Sequence, residues 1–517
     1  MRTVAILASY LRTLTGLPRW LHETMTFREA RAEVARRLEN REEQFLGFLR
    51  RCVFGNPASP YLPLFRAAQC DYEDVAQGVR RHGIERELVR LKDAGVWVSL
   101  DEFKGRAALE RDGVELRASG SDFDNPIITG APIASTGGSS GRSVRSSIDL
   151  DHLAVRASYQ GLILKLAGLD DATLGLWYPQ LPSSSGINAA LMYAKLGQSP
   201  ERWFEFPGGA GWKGKLLTTG LVDASRSSGK GLPRPTPGTA RMVLDWLVRT
   251  RDLKGRCGLQ SYTSRAVQLS RLARSSGHSL EGVTFHVGAE PLTPAREREI
   301  RASGAALIHR YASTEMGTIA AGCTDADETG DYHLCRDLIG LVQDARTDGA
   351  APGILYLTSL HPASPKAMIN VQLGDCARVV RRPCGCLLGK LGLDTHLRQV
   401  RSIGRVTCGG MTVPVAQLVR IVEEVLCPRY GGSTLDYQWV EREDSRGRGH
   451  VILRIAPAVG PFDAAEVRQL VLEEFTRRSH SGHIVAGAWG RPGTLAVVRQ
   501  APTLTARGKA LPFLQER

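Results

Sequence analysis

Apolar positions early in the chain recur at helical spacing. Phe27, Ala30, Val34, Leu38, Phe45 and Leu49 fall near one face with Arg and Glu opposite, which predicts a long amphipathic helix over 26–54. In the middle of the chain the pattern changes. VTFHV (283–287) predicts a buried strand and GAEPLT (288–293) a turn. PAREREIRASG (294–304) predicts a helix, with Thr293 as N-cap, Pro294 in its first turn and Gly304 as its stop. AALIHRY (305–311) then predicts a second strand. Short buried strands joined by a helix imply a parallel, right-handed unit, and such sheets bind ligands beyond the carboxyl ends of their strands. Here those ends are GAEPLT and ASTEMG.

Beyond residue 404 the texture is different. A helix pattern (414–426), the strand-like runs LDYQWVE and HVILRIAP, a helix (463–478) and a last strand, TLAVVRQ, make a compact α+β unit. GRVTCGGMT before it, rich in small residues, reads as a hinge or as an ordinary turn. No fixed-period repeat runs through the chain, which argues against solenoids and propellers. The expected fold class is α/β. A large N-terminal domain, 1–403, holds mixed and parallel sheets with helices, and a small mobile α+β domain covers 404–517.

Composition narrows the function classes. At 517 residues the chain exceeds one ordinary core, and 42% hydrophobic with 23% charged residues is a globular balance. A formal charge of +14 raises nucleic acid or an acidic membrane as partner. The basic residues are scattered, however, in runs no longer than pairs such as Arg381-Arg382, and no aromatic-rich nucleic-acid motif accompanies them. An anionic small substrate fits the charge as well, so neither nucleic acid nor a membrane span is expected as partner. No stretch approaches the roughly 20 apolar residues of a spanning helix. MRTVAILASYLRTLTG is broken by Arg12 and makes a poor signal peptide. Ten dispersed cysteines favour a reducing compartment, so the expected location is the cytoplasm. Nothing in the sequence assigns an oligomeric state.

STGGSSGRSVR (135–145) lies between the apolar patch PIITGAPIA (126–134) and a predicted helix containing LDHLAVRASYQGLILKLAGL. It lacks the G-x-x-x-x-G-K-[ST] spacing of a P-loop. Its glycine N–H groups and hydroxyls suit either a linker or an anion-binding nest. With GAEPLT (288–293), YASTEMG (311–317), LGD (373–375), IGR (403–405) and PTLTARGK (502–509), it forms an ordered set. In this order and spacing the sequence resembles the adenylate-forming superfamily of acyl- and aryl-CoA ligases, nonribosomal-peptide adenylation domains and luciferases, most closely its phenylacetate–CoA ligase-like branch.

The resemblance implies a two-step reaction. A carboxylate attacks the α-phosphate of ATP, with Mg²⁺ as cofactor, and the acyl-adenylate then meets a nucleophile, usually the thiol of coenzyme A. By the same resemblance Thr136, Gly138, Ser139, Ser140 and Gly141 cradle the departing phosphates, and Gly288, Ala289 and Glu290 form the adenine-pocket turn. Tyr311 stacks on adenine, Thr314 contacts phosphate, Glu315 holds Mg²⁺ and Asp375 anchors the ribose. Arg405 lies near ribose and phosphates at the domain junction, and Lys509 is the mobile lysine bridging carboxylate and α-phosphate. Taken singly, Glu315 and Asp375 also read as solvated loop acids, Tyr311 as core and Lys509 as a surface lysine. There are two departures from the family pattern. The loop continues as Arg142-Ser143-Val144-Arg145, without the usual Pro-Lys, and Gly404-Arg405-Val406-Thr407-Cys408 has no hinge acid. The second departure leaves a carrier-protein thiol or an amine open as acceptor. A non-catalytic nucleotide-binding homologue is the remaining alternative, and the retention of Glu315, Asp375 and Lys509 argues against it.

Thiols and imidazole in sets of four suit tetrahedral Zn²⁺. The phenylacetate-type pattern of a Cys, a His about ten residues on and a later Cys-x-Cys maps onto Cys323, His333, Cys384 and Cys386, with Cys335 spare. The plainer reading is cysteines packed as small apolar residues. The acyl pocket is expected between VTFHV and LGLWYPQLPSSSGINAAL (174–191), where Trp177, Tyr178 and His286 flank an aromatic or aliphatic acid or pack as core.

Overall fold

The computed structural model describes residues 2–516 apart from 112, 129–130, 136–144, 182, 207–210, 227–228, 230, 345–351, 409–410, 444–448, 479–481 and 506–507; for a few others, Arg405 among them, it describes backbone alone. The chain forms two compact units that part between Val400 and Arg401.

The first unit is built on a twelve-stranded sheet. In chain order its strands are β1 (Thr173–Trp177), β2 (Arg202–Glu205), β3 (Pro235–Pro237), β4 (Cys257–Tyr262), β5 (Val283–Gly288), β6 (Ala306–Ser313), β7 (Gly317–Gly322), β8 (Tyr332–Leu334), β9 (Ile339–Gln343), β10 (Gly353–Ser359), β11 (Val371–Arg381) and β12 (Thr395–Ser402). In space they run β9-β10-β11-β12-β8-β7-β6-β5-β4-β1-β2-β3. From β6 to β3 every pairing is parallel, and β6 pairs antiparallel with β7. The inner parallel strands are covered on both faces, and all six residues of β4 are buried.

Helix α1 (Leu150–Leu166) starts where Asp149 accepts a hydrogen bond from the His152 N–H at 2.8 Å. Helix α2 (Ser184–Lys195) is buried along most of its length. Between β4 and β5 runs α3 (Thr263–Ser275), and between β5 and β6 runs α4 (Pro294–Arg301). The expected strand–helix–strand unit is therefore present, with Ala306 to His309 paired in parallel to Thr284 to Val287. The helix ends before the predicted stop, and Gly304 turns the chain at φ +86°.

The helix expected over 26–54 is broken. It runs Phe27–Glu39, then Arg41–Leu49, then a π-helical turn, Arg50–Phe54. Asn40 leaves helical geometry (φ −100°, ψ 17°), and its amide donates back to the Arg36 carbonyl at 2.7 Å, the local competition that disfavours Asn inside helices. Past the break Phe45, Leu46, Phe48 and Leu49 are all buried, more than one stripe of a straight helix supplies. Arg37 ties this hairpin to the sheet. Fully buried, it donates Nε to Asp337 Oδ2 (2.7 Å) and Nη2 to Ser158 Oγ (2.8 Å), and Tyr159 donates to Asp337 Oδ1 (2.5 Å). A buried ion pair is tolerable when its remaining donors and lone pairs are used in this way.

The second unit holds a four-stranded sheet of β13 (Tyr437–Glu443), β14 (Gly449–Ile455), β15 (Leu495–Arg499) and β16 (Phe513–Glu516), ordered β15-β14-β13-β16. Its core gathers Trp439, Phe475 and Trp489, all fully buried. The sequence pattern did not reveal β16 or the helix Gly482–Trp489. The small-residue segment before them forms a two-stranded antiparallel hairpin, Arg405–Cys408 with Met411–Pro414. No helix among the described residues is long and apolar enough to cross a membrane.

Candidate active site

β6 and β7 meet in a tight turn at Thr314–Met316, where the sheet changes from parallel to antiparallel. Gly317 follows at φ +80°, and a Cβ there would stand 2.7 Å from His152 Cε1, so this close approach requires glycine. A register shift between Tyr311 and Ala312 re-aims the end of β6. Tyr311 then donates its hydroxyl to Asp375 Oδ2, on β11, at 2.6 Å. Burial pushes Asp375 up to about 6; the Tyr311 hydrogen bond opposes this and the Glu315 charge adds to it. Glu315 is itself buried, and its Oε1 accepts from Lys104 Nζ at 3.3 Å. Arg156 approaches the same turn, its Cδ being 3.1 Å from where a Gly317 Cβ would sit. Burial, and then the Arg310 guanidinium, push Arg156 down to about 9. Two carboxylates and three basic side chains thus converge around Tyr311–Gly317. Nothing in the sequence singled out Lys104, Arg156 or Arg310, because an isolated basic residue in a helix or strand carries no motif.

The GAE turn follows β5. Ala289 adopts φ 64°, the left-handed region that non-glycine residues seldom enter. Glu290 accepts from the Ser264 N–H (2.7 Å) and Ser264 Oγ (3.0 Å), so its carboxylate caps the start of α3. The Glu290 carboxylate is thus engaged within the protein. Trp177, Tyr178 and His286 are all buried, and Tyr178 meets Tyr262 edge-on at 5.0 Å between ring centres.

Lys509 and Arg405 belong to the second unit. The Lys509 N–H donates to Thr505 Oγ1 (3.0 Å) and its carbonyl accepts from the Thr505 N–H (3.0 Å), which closes a tight loop ahead of β16. Arg405 lies on the first strand of the 405–414 hairpin. Thr136, Gly138, Ser139, Ser140 and Gly141 lie outside the described residues; the strands flanking that loop, Ala131–Ser135 and Arg145–Ile148, pair antiparallel with Ser135 opposite Arg145.

A cluster of thiols sits elsewhere in the first unit. Cys323, just after β7, His333 on β8, and Cys384 with Cys386 after β11 bring their ligand atoms within 4.8 Å of one another. Cys323 Sγ lies 3.4 Å from Cys384 Sγ, and Cys386 Sγ 3.1 Å from His333 Nε2. His333 Nδ1–H donates to the Leu393 carbonyl at 2.6 Å, which leaves the Nε2 lone pair facing the thiols. A Cβ on Gly389 would stand 2.1 Å from the Cys384 carbonyl, so glycine permits the tight return of this loop. The donor set and the oriented imidazole fit tetrahedral zinc. Cys335 is fully buried and outside the group.

No family model and no curated protein sequence matches the chain. Among solved structures it is similar to 2-hydroxyisobutyryl-CoA ligase in the postadenylation state with R3-HIB-AMP, at 17% identity over 96% of this chain and 91% of that one, with a TM-score of 0.56. This chain has the fold of the adenylate-forming ligases. Other similar structures are ATP-bound MatB from Rhodopseudomonas palustris (15% identity, 81% of this chain and 70% of that one, TM-score 0.45) and the amide bond synthetase McbA from Marinactinospora thermotolerans (13%, 96% and 98%, 0.44). In this adenylate-forming-ligase fold the Tyr311–Gly317 turn and Asp375 are positions to test.

An Asp375 carboxyl at about 6 in the folded chain, against an ordinary 3.8, binds its proton more tightly when folded. The contribution of Asp375 to native stability therefore falls as pH rises from about 4 to about 6, and the cost is complete above that window. Asp375→Asn should match the wild type near pH 4, gain on it up to about pH 6, and level off at about 1–3 kcal/mol more stable in urea unfolding. A stability difference independent of pH would refute this. For the thiol cluster, protein purified without a polyhistidine tag should carry stoichiometric zinc, and Cys386→Ser should lose it. Metal-free wild-type protein would count against the site.

Proposed function

We propose that the chain activates a carboxylic acid with ATP. The acid's carboxylate oxygen attacks the α-phosphorus, the bond to the pyrophosphate oxygen breaks, and an acyl-adenylate and pyrophosphate result. The acyl group then passes to a thiol, with AMP as the leaving group. The observation that carries this reading is the joining of Tyr311, Asp375 and Glu315 at one turn of a chain with this fold.

The residues divide the work. Asp375 is ionised above about pH 6 and accepts from the ribose hydroxyls, while the Tyr311 ring lies against adenine. Ala289 and its neighbours, Gly288 and Glu290, line the base through their backbone. Thr314 and the loop of Thr136, Gly138, Ser139, Ser140 and Gly141 donate to phosphate oxygens. Arg156, Arg310 and Lys104 make the surroundings positive, which suits two anionic reactants and needs no charge to move at the moment of reaction. Glu315 would hold Mg²⁺, which when bound neutralises phosphate charge, and Lys104 balances that carboxylate otherwise. Arg405 and Lys509 are residues of the second unit, and the family pattern gives Lys509 the bridge between carboxylate and α-phosphate. Cys323, His333, Cys384 and Cys386 would hold zinc as a structural ion, tying the segment after β7 to the segment that follows β11, the strand of Asp375. This Cys/His pattern supports placing the chain near the phenylacetate–CoA ligase branch.

Coenzyme A is the first acceptor to test, since 2-hydroxyisobutyryl-CoA ligase shares the fold. The absence of an acid after Gly404-Arg405 favours a second reading, transfer to a carrier-protein thiol or an amine. The experiment is acid-dependent ATP–pyrophosphate exchange across aryl and aliphatic acids. Exchange is expected with one acid class, and Lys509→Ala should slow it about 10²–10³-fold, as for one lost oxyanion donor. Exchange with no acid would overturn adenylation, and an unaffected Lys509→Ala would overturn the lysine's role.

A further inference from the structure

PTLTARGK (502–509) carries two threonines besides its lysine, and both are used inside the second unit. Thr505 Oγ1 accepts from the Lys509 N–H at 3.0 Å, and the Thr505 carbonyl accepts from the Gly508 N–H at 2.8 Å. Thr503 is held by Gln438, on β13. The Thr503 N–H and hydroxyl donate to Gln438 Oε1 at 2.9 and 3.2 Å, and Gln438 Nε2 donates to the Thr503 carbonyl at 2.9 Å. The other Nε2 hydrogen goes to the Leu511 carbonyl, on the far side of the lysine, at 3.0 Å.

One side chain therefore joins both ends of the segment that carries Lys509. A backbone N–H only donates and a carbonyl only accepts, so the orientation of the Gln438 amide is fixed, with both hydrogens and both oxygen lone pairs used. Gln438 is 1% exposed, and a buried amide with every site paired is held rigidly. Its cross-strand partner on β14, Arg454, supports the same clamp. Arg454 donates Nη1–H to Thr503 Oγ1 at 3.0 Å and pairs with Glu516, on β16, at 2.8 Å. Arginine only donates, so the threonine hydroxyl accepts from the guanidinium and gives its own proton to the amide oxygen.

On an unrestrained loop the backbone under Lys509 would have to be ordered at every turnover, which raises the barrier. We propose that Gln438 is a positioning residue for Lys509. It fixes both ends of the lysine's loop, so that the ammonium group needs only its own side-chain torsions to reach the reacting carboxylate and α-phosphate. This inference rests on the adenylation reading and adds the device that sets its lysine.

The test is a double-mutant cycle in acid-dependent pyrophosphate exchange, with wild type, Gln438→Met, Lys509→Ala and the two combined. Methionine matches the length of glutamine and removes all four hydrogen bonds. Gln438→Met should lower kcat about 10²-fold, as for a catalytic group displaced by an ångström. In the Lys509→Ala background it should change the residual rate less than about twofold, because a residue that acts through the lysine has nothing left to position. Equal losses in both backgrounds would overturn the proposal, as would unchanged exchange in Gln438→Met. Thr503→Val, at an exposed position, removes only the hydroxyl and decides the matter if Gln438→Met does not fold. A loss of about tenfold that disappears in Lys509→Ala supports the clamp, and any other result overturns it. Exchange by the wild type with no acid would instead overturn adenylation, and this inference with it.

Discussion

The hydrogen bond from Tyr311 to Asp375 is the constraint around which the rest of the site is arranged. β6 and β11 are separated by β7, β8 and β12 in the sheet. Laid flat, four strand spacings would hold them about 19 Å apart. A 2.6 Å contact between their side chains therefore requires the antiparallel half to curl back toward the end of the parallel half. That curl brings Asp375 against the turn that carries Glu315, and it explains why a half-buried carboxyl on a strand interior lies beside another acid.

Two acids this close are costly unless cations offset them. Lys104 answers Glu315 directly. Arg156 raises the opposite problem, since burial and then the Arg310 guanidinium disfavour its charge. The thiol cluster anchors the far end of β11 and so supports the strand on which Asp375 is placed.

Much of this was legible in the sequence. The β5–α4–β6 unit follows from a buried apolar run, a proline at a helix start and a glycine at its end, all local signals. Tyr311, Glu315 and Asp375 were singled out by the resemblance of an ordered motif set to the adenylate-forming superfamily, and Cys323, His333, Cys384 and Cys386 by resemblance to the phenylacetate-type Cys/His pattern. The break at Asn40 was not legible, because the apolar stripe continues through it and the helix ends on bonds from the Asn40 side chain and backbone to Arg36. Lys104, Gln160 and Arg310 were missed for a different reason. Their meaning depends on partners far away in the chain, and no window of sequence contains both members of Lys104–Glu315 or Gln160–Arg310. Glu290 shows the reverse case: the motif placed it correctly at the turn, while the fold used its carboxylate to cap a helix.

The central claim is that Asp375 and Tyr311 form the seat of an adenine nucleotide. Calorimetric titration with AMP and with its 2′,3′-dideoxy analogue tests it most directly, since the two ligands differ only in the hydroxyls that Asp375 would accept from. AMP should bind, and the dideoxy analogue should bind about 10²-fold more weakly, as for loss of hydrogen bonds to a charged acceptor. Equal affinities, or no binding of AMP, would contradict the account.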